Sequence, residues 1–204
     1  IGFCLVGSEM CIRDSCRSEL FSYFRELATE RRRQPGDDVA SILVSPNDNG
    51  EQLSAEELDA YFLLLVIAGN ETTRFLLAGG LEQLLLQPNA MQRLRKEPSL
   101  IPSAVEEMIR WVTPVIHMRR TVTEDTQAFG LDVAAGSKFV LYFSAANRDP
   151  EVFEDPHSFR VDRTPNKHVG FGAGHHFCMG AYLARLEAQI FLDEFLSITR
   201  DCEL

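Results

Sequence analysis

The chain has 204 residues, 45% of them hydrophobic and 25% charged, which is the make-up of an ordinary globular domain and not of a collagen, a disordered tail or a disulfide-built miniprotein. Acidic residues number 30 and basic ones 20, and the net charge of −10 argues against wrapping nucleic acid and against attachment to anionic lipid by charge alone. Five cysteines are too sparse, and odd in number, for a disulfide framework.

Residues 1–15, IGFCLVGSEMCIRDS, carry no clean helical or strand period. The run EMCIRDS resembles a translated sequencing adapter, so the expectation is a non-native tail over 1–15 and one partial domain over 16–204. No basic region precedes the apolar residues 1–8, which does not suit a signal peptide. From Ser18 the spacing of Leu20, Phe21, Phe24, Leu27 and Ala28 predicts a helix. It ends on the basic run Arg31-Arg32-Arg33 and is broken by Pro35-Gly36. A short apolar turn is expected over 39–44, then a loop over 46–50.

Ser54 and Glu57 have capping-box spacing. The helix they open is expected to run to about residue 87, ahead of Pro88. Such a helix, about 33 residues or ~50 Å long, should pass through the middle of a large core. Its longest uncharged run, residues 60–70, is 11 residues, against the ~20 a membrane span needs, so no span is expected. Gly69, Gly79 and Gly80 each cost the helix about 1 kcal/mol relative to Ala and need a reason. A short helix follows over 89–96. Ser103 and Glu106 form a second capping box, opening a helix that Pro114 ends. Residues 115–122 and 138–143 have strand-like content, with turn signals at Gly130 and Gly136. Residues 144–168 read as a long irregular connection, and a last helix as running from about residue 179 to 196.

The strongest signal is Phe-Gly-Ala-Gly-His-His-Phe-Cys-Met-Gly at 171–180, which fits F-G-x-G-x-H-x-C-x-G. Cys178 sits where the final helix should begin, so the positive helix end stabilises a thiolate. Gly172, Gly174 and Gly180 would let the backbone approach a flat macrocycle and aim N–H groups at the sulfur. Phe171 would cover the sulfur side, and His176 would reach a carboxylate at the ring edge. On the residues alone, two alternatives stand beside this: a Gly-rich turn around a buried cysteine, and a zinc site from His175, His176 and Cys178. Ligand spacing disfavours the second.

With this loop the chain resembles the cytochrome P450 family of haem-thiolate monooxygenases, from about residue 17 to its end. The resemblance implies a mainly α fold with small β-sheets, the C-terminal half of the cytochrome P450 fold. It also implies haem b held by the Cys178 thiolate. Residues 68–73, Ala-Gly-Asn-Glu-Thr-Thr, match the family's acid–alcohol motif. Ala68 and Gly69 would then line the cofactor side of the long helix, Gly69 leaving room for dioxygen. Glu71 and Thr72 would manage the protons that O–O cleavage needs. Glu107 and Arg110 match the family's E-x-x-R ion pair, a structural element. Arg120 would hold a haem propionate, with His117 as a weaker candidate on the opposite face of its strand. Where the family often has Pro-x-Arg-Phe, this chain has Pro156-His157-Ser158-Phe159. The third partner of the Glu107–Arg110 pair is therefore open between Arg160 and Arg163.

The activity implied is insertion of one oxygen atom of O₂ into a hydrophobic substrate. AGNETTR with EEMIRW resembles bacterial members that oxidise steroid side chains. Substrate contacts are expected over 65–70 and 115–118. The alternatives are a peroxide-using haem-thiolate enzyme, or an inactive truncated fragment without haem. The four cations Arg160, Arg163, Lys167 and Arg185 against Asp162 suggest a basic patch for an acidic ferredoxin-type redox partner. A cytoplasmic location is expected.

Overall fold

A computed structural model describes residues 2–200 and 202, with side-chain surroundings from residue 15 onward. The chain divides into two compact units, Ile1–Ala68 and Gly69–Leu204.

The first unit holds α1 (Gly2–Arg33), α2 (Val39–Val44) and the opening turns of α3 (Ala55–Leu86). α1 starts well before Ser18, where the apolar period begins. Phe24 and Ala28 of α1 pack with Val44 of α2 and with Leu58 and Phe62 of α3. The rings of Phe24 and Phe62 stack at 5.1 Å. The residues expected to form an apolar turn are the helix α2, because Asp38 caps it: its Oδ1 accepts from the Ser41 N–H at 2.7 Å. That hydrogen bond, with the one from Arg31, holds the Asp38 carboxyl below its ordinary range. The Ser54–Glu57 capping box is present in both directions. The Glu57 N–H donates to Ser54 Oγ at 3.2 Å and the Ser54 N–H to Glu57 Oε2 at 2.9 Å.

The second unit holds the rest of α3, then α4 (Pro88–Lys96), α5 (Ile101–Val112), α6 (Phe143–Ala146) and α7 (Ala181–Ile198). Its core is built on α5, whose Ala104, Val105, Met108 and Ile109 share one face and are fully enclosed. Ala188, Leu192 and Leu196 of α7 face the same cluster at four-residue spacing. Two of the costly glycines of α3 are explained by close approach to α5. A Cβ on Gly80 would fall 2.8 Å from Met108 Cγ, and one on Gly79 3.0 Å from Val112 Cγ2.

Two expectations are corrected here and one is filled in. The second capping box is not formed: α5 begins at Ile101 after a short turn over Pro98–Leu100, and the Ser103 hydroxyl donates instead to the carbonyls of Leu100 (2.9 Å) and Val161 (2.7 Å). The long helix does not pass through a closed core, since Ile67 and Phe75 stay 58% and 53% exposed. Among the described residues α3 is also the one helix long and apolar enough, by length and composition, to cross a membrane. Finally, the region between residues 121 and 138 folds into a second sheet. β2 (Thr126–Ala128) and β3 (Leu131–Val133) pair antiparallel around Phe129 (φ 54°) and Gly130 (φ 76°), both in the left-handed region, as a tight two-residue hairpin turn requires.

β1 (His117–Thr121) and β4 (Lys138–Tyr142) pair antiparallel, with Met118 opposite Leu141 and Arg120 opposite Phe139. The connection from α6 to α7 is irregular apart from a single turn over Gly174–His176, as its Pro and Asp content predicts.

Candidate functional site

The cysteine loop folds back on itself through its own backbone. The Gly172 N–H donates to the Val169 carbonyl (2.8 Å), Phe177 to Gly174 (3.0 Å) and Cys178 to Phe171 (2.9 Å). Gly172 sits at φ +73°, and a Cβ there would lie 3.2 Å from the His176 carbonyl, so both conformation and space call for glycine. Gly180 caps α7 at φ −84°, which any residue can adopt. Its contribution is smallness, since a Cβ would stand 3.9 Å from Cys178 Sγ. Cys178 precedes this cap by two residues, at the positive end of an 18-residue helix, and its side chain is exposed. Phe171 is half-buried, with the Phe177 ring 6.3 Å away, and His176 is exposed on the turn before Cys178.

Among the described residues no three of His, Cys, Asp or Glu gather as metal ligands, which leaves the zinc reading without a ligand set. What the loop offers is a single soft sulfur donor, accessible, at a helix N-terminus and in a turn that carries Gly172, Gly174 and Gly180. That donor set fits a thiolate-ligated macrocycle, which brings its other ligands with it.

Behind the loop, Glu107 and Arg110 of α5 are wholly enclosed. Arg110 donates to the Glu107 carboxylate through Nε and Nη2, both at 2.7 Å. Three further donors reach the same carboxylate: the Arg160 backbone N–H (2.8 Å), Arg163 Nε (3.0 Å) and Asn166 Nδ2 (3.1 Å). Both residues weighed as the third partner therefore take part, Arg163 with its side chain and Arg160 with its backbone. Arg110 also donates to the carbonyls of Asn147, Pro156 and Ser158, which pins the irregular connection to α5. Asn147, also enclosed, donates to Thr113 Oγ1 and accepts from the Val169 N–H at 2.8 Å, tying that connection to the start of the cysteine loop. Arg148 lies over the Trp111 ring at 5.0 Å; burial and the neighbouring Arg110 pull its guanidinium below the ordinary value.

Glu106, next along α5, was read as a helix cap and is something else. Its carboxylate accepts from Arg185 Nε (2.6 Å) and Nη2 (3.0 Å) and lies 2.9 Å from His168 Nε2. No local signal marks this cluster, since its partners lie 62 and 79 residues away.

On α3 the Glu71 carboxylate accepts from Arg74 at 2.6 Å on an exposed face, and Thr72 beside it is half-buried. A Cβ on Gly69 would meet nothing within 4 Å, so packing gives this glycine no reason, unlike Gly79 and Gly80. Ala68 closes the first unit and is exposed. Arg120 is exposed on β1, where its guanidinium donates to the Arg119 carbonyl (3.0 Å). His117 on the same strand lies 5.5 Å from the Tyr142 ring. Of the four cations counted along 160–185, Lys167 is exposed and the three arginines are paired with carboxylates. Arg163 is buried under Glu107 and Arg185 is bound to Glu106. Arg160 has Glu154 and Asp162 within 4.0 Å.

A family model described as cytochrome P450 matches residues 9–198. Steroid C26-monooxygenase from Mycolicibacterium smegmatis is 44% identical over 182 residues, covering 89% of this chain and 45% of that protein. Methyl-branched lipid omega-hydroxylase from Mycobacterium bovis is 44% identical over 179 residues, 87% of this chain and 42% of that protein. The chain thus spans about half the length of the curated relatives it matches. Among solved structures, CYP109E1 from Bacillus megaterium in complex with testosterone superposes with a TM-score of 0.90 at 40% identity, over 94% of this chain and 53% of that one.

Proposed function

Because this chain belongs to the cytochrome P450 family, we propose that it is the cysteine-bearing part of a haem-thiolate monooxygenase acting on a hydrophobic substrate. The balance is RH + O₂ + two electrons + two protons giving ROH and water. The observation that carries this reading is the accessible Cys178 thiol, held by a turn of glycines at the N-terminus of α7.

Haem b, when bound, supplies the iron centre at which dioxygen is activated, and a thiolate ligand favours O–O cleavage. Cys178, at the positive end of α7, would donate its sulfur to the iron. Phe171 would cover the sulfur side of the bound group. Arg120 and His176 provide cationic and N–H partners for propionates. Gly69 would leave room for dioxygen on the helix that carries Thr72. Thr72 would hold a hydroxyl beside the bound group, and Glu71, once released from Arg74, would supply protons to that hydroxyl. Glu107, Arg110 and Arg163 do no chemistry; they hold α5 and the long connection against the loop.

A steroid or branched-lipid substrate is supported by the names of the relatives and by the apolar, exposed Ile116 and Met118 beside β1. An electron donor of the ferredoxin type rests on family membership, since the three arginines of the basic run are paired with carboxylates. A cytoplasmic location likewise rests on family membership. Turnover of a steroid by the haem-loaded protein under isotope-labelled O₂, with electrons from a ferredoxin, tests the reading. One labelled atom per product molecule is expected; product oxygen drawn from water would overturn it.

A further inference from the structure

Glu106, His168 and Arg185 form a cluster with no role in the chemistry above, yet it abuts the cysteine loop. Glu106 projects from α5 and Arg185 from α7, while His168 lies just ahead of the loop. The Glu106 carboxylate grips Arg185 by two N–H bonds, a fork geometry that fixes the guanidinium plane. That plane covers the Phe171 ring, with the guanidinium carbon 4.5 Å from its centroid. The His168 ring packs on Phe171 as well, at 6.0 Å. The tautomer of His168 follows from its neighbours. Nδ1 accepts the Gly170 N–H at 3.2 Å, so the ring proton is on Nε2 and is donated to Glu106. Phe171 in turn accepts the Cys178 N–H on its carbonyl. A continuous chain of contacts therefore runs from the Glu106 carboxylate, through the Phe171 ring and backbone, to the residue that bears the thiol.

We propose that Glu106, His168 and Arg185 are positioning residues: together they clamp Phe171, and through its carbonyl they set where Cys178 presents its sulfur. The proposal rests on the reading of Cys178 as the haem ligand. The Glu106–Arg185 pair is charged throughout the physiological range. Burial pushes the Glu106 carboxyl up, but the hydrogen bonds from His168 and Arg185 outweigh it and hold the group down at about 2.

Amide hydrogen exchange on the haem-free chain tests this directly. In Arg185→Met and Glu106→Gln the Cys178 amide should exchange about tenfold faster, while the Ala188 and Leu192 amides in the α7 core keep their protection. Arg185→Lys, which leaves a cation beside Glu106 but removes the flat face over Phe171, should give a smaller acceleration in the same place. It provides the test should the harsher variants fail to fold. Arg93→Met, which breaks the exposed Arg93–Asp162 pair, serves as a control and should leave Cys178 unchanged. In the haem-loaded variants, reduced under carbon monoxide, the share of the red-shifted thiolate band should fall in the same order. Unchanged exchange at Cys178, or acceleration only in step with Leu192, overturns the clamp. Cys178→Ser retains the amide and removes the sulfur. It should abolish the thiolate band with no change in exchange, so failure of the clamp and failure of the ligand assignment are distinguishable.

Discussion

Replacing Glu107 by Gln removes the negative charge onto which Arg110 and Arg163 both donate. Oε1 receives Arg110 Nη2 and the Arg160 N–H, while Oε2 receives Arg110 Nε, Arg163 Nε and Asn166 Nδ2. Whichever way the amide turns, its NH₂ group therefore faces at least two N–H donors. The side chains of Glu107 and Arg110 are 0% exposed and that of Arg163 is 5% exposed, so water cannot take up the loss. Stranding a buried charge in this way costs about 3–5 kcal/mol. At about 2–4 °C per kcal/mol for a chain of this size, the melting midpoint should fall by about 6–20 °C. Urea unfolding followed by circular dichroism measures the change, and the slope with denaturant should be unaltered. Arg163→Met, which leaves the Glu107–Arg110 fork intact, should cost less, about 1.5–3 kcal/mol for hydrogen bonds to a charged group. A Glu107→Gln loss below about 1 kcal/mol, the range of exposed pairs, would refute the reasoning.

Gly80→Ala should be less stable than Gly69→Ala by about 1–3 kcal/mol. Both gain the same helix propensity, and only the first drives a methyl into the buried Met108; equal unfolding midpoints would contradict this. Glu106 has its folded-state carboxyl held near 2, below the ordinary 4.5. Its contribution is therefore complete above about pH 5 and is lost as pH falls toward 2. The stability gap between the parent chain and Glu106→Gln should narrow over that window, and a gap constant with pH would count against the cluster. Thr72→Ala should lower the product formed per electron consumed several-fold with little change in electron uptake. Unchanged coupling would remove Thr72 from the proton path.

How far the sequence reaches is seen in its two capping-box patterns. Ser54–Glu57 needs only a four-residue window, and the structure forms it. Ser103–Glu106 has the same pattern, but Pro102 at the head of α5 lets the helix start earlier. Tertiary partners then claim both side chains: Val161 takes the hydroxyl, and His168 with Arg185 take the carboxylate. The cysteine loop was legible because its contacts are local and its glycines carry the backbone conformation. Arg163 was visible as one of two candidates, but choosing needed the path of residues 144–168, which has no period to read. The basic run is reduced for the same reason, because a count along the chain cannot tell a solvated arginine from one such as Arg163 that is bound to an internal carboxylate. Burial of α3 was overestimated because an apolar pattern says which face seeks cover and not what this length of chain provides as cover.

The central claim is that Cys178 is the thiolate ligand of a haem. Haem titrated into the chain and into Cys178→Ser, each then reduced under carbon monoxide, tests it in one spectrum per protein. The account predicts saturable binding and the red-shifted thiolate Soret band in the parent chain, with that band gone in Cys178→Ser. The same band surviving in Cys178→Ser, or no saturable haem binding by the parent chain, would contradict it.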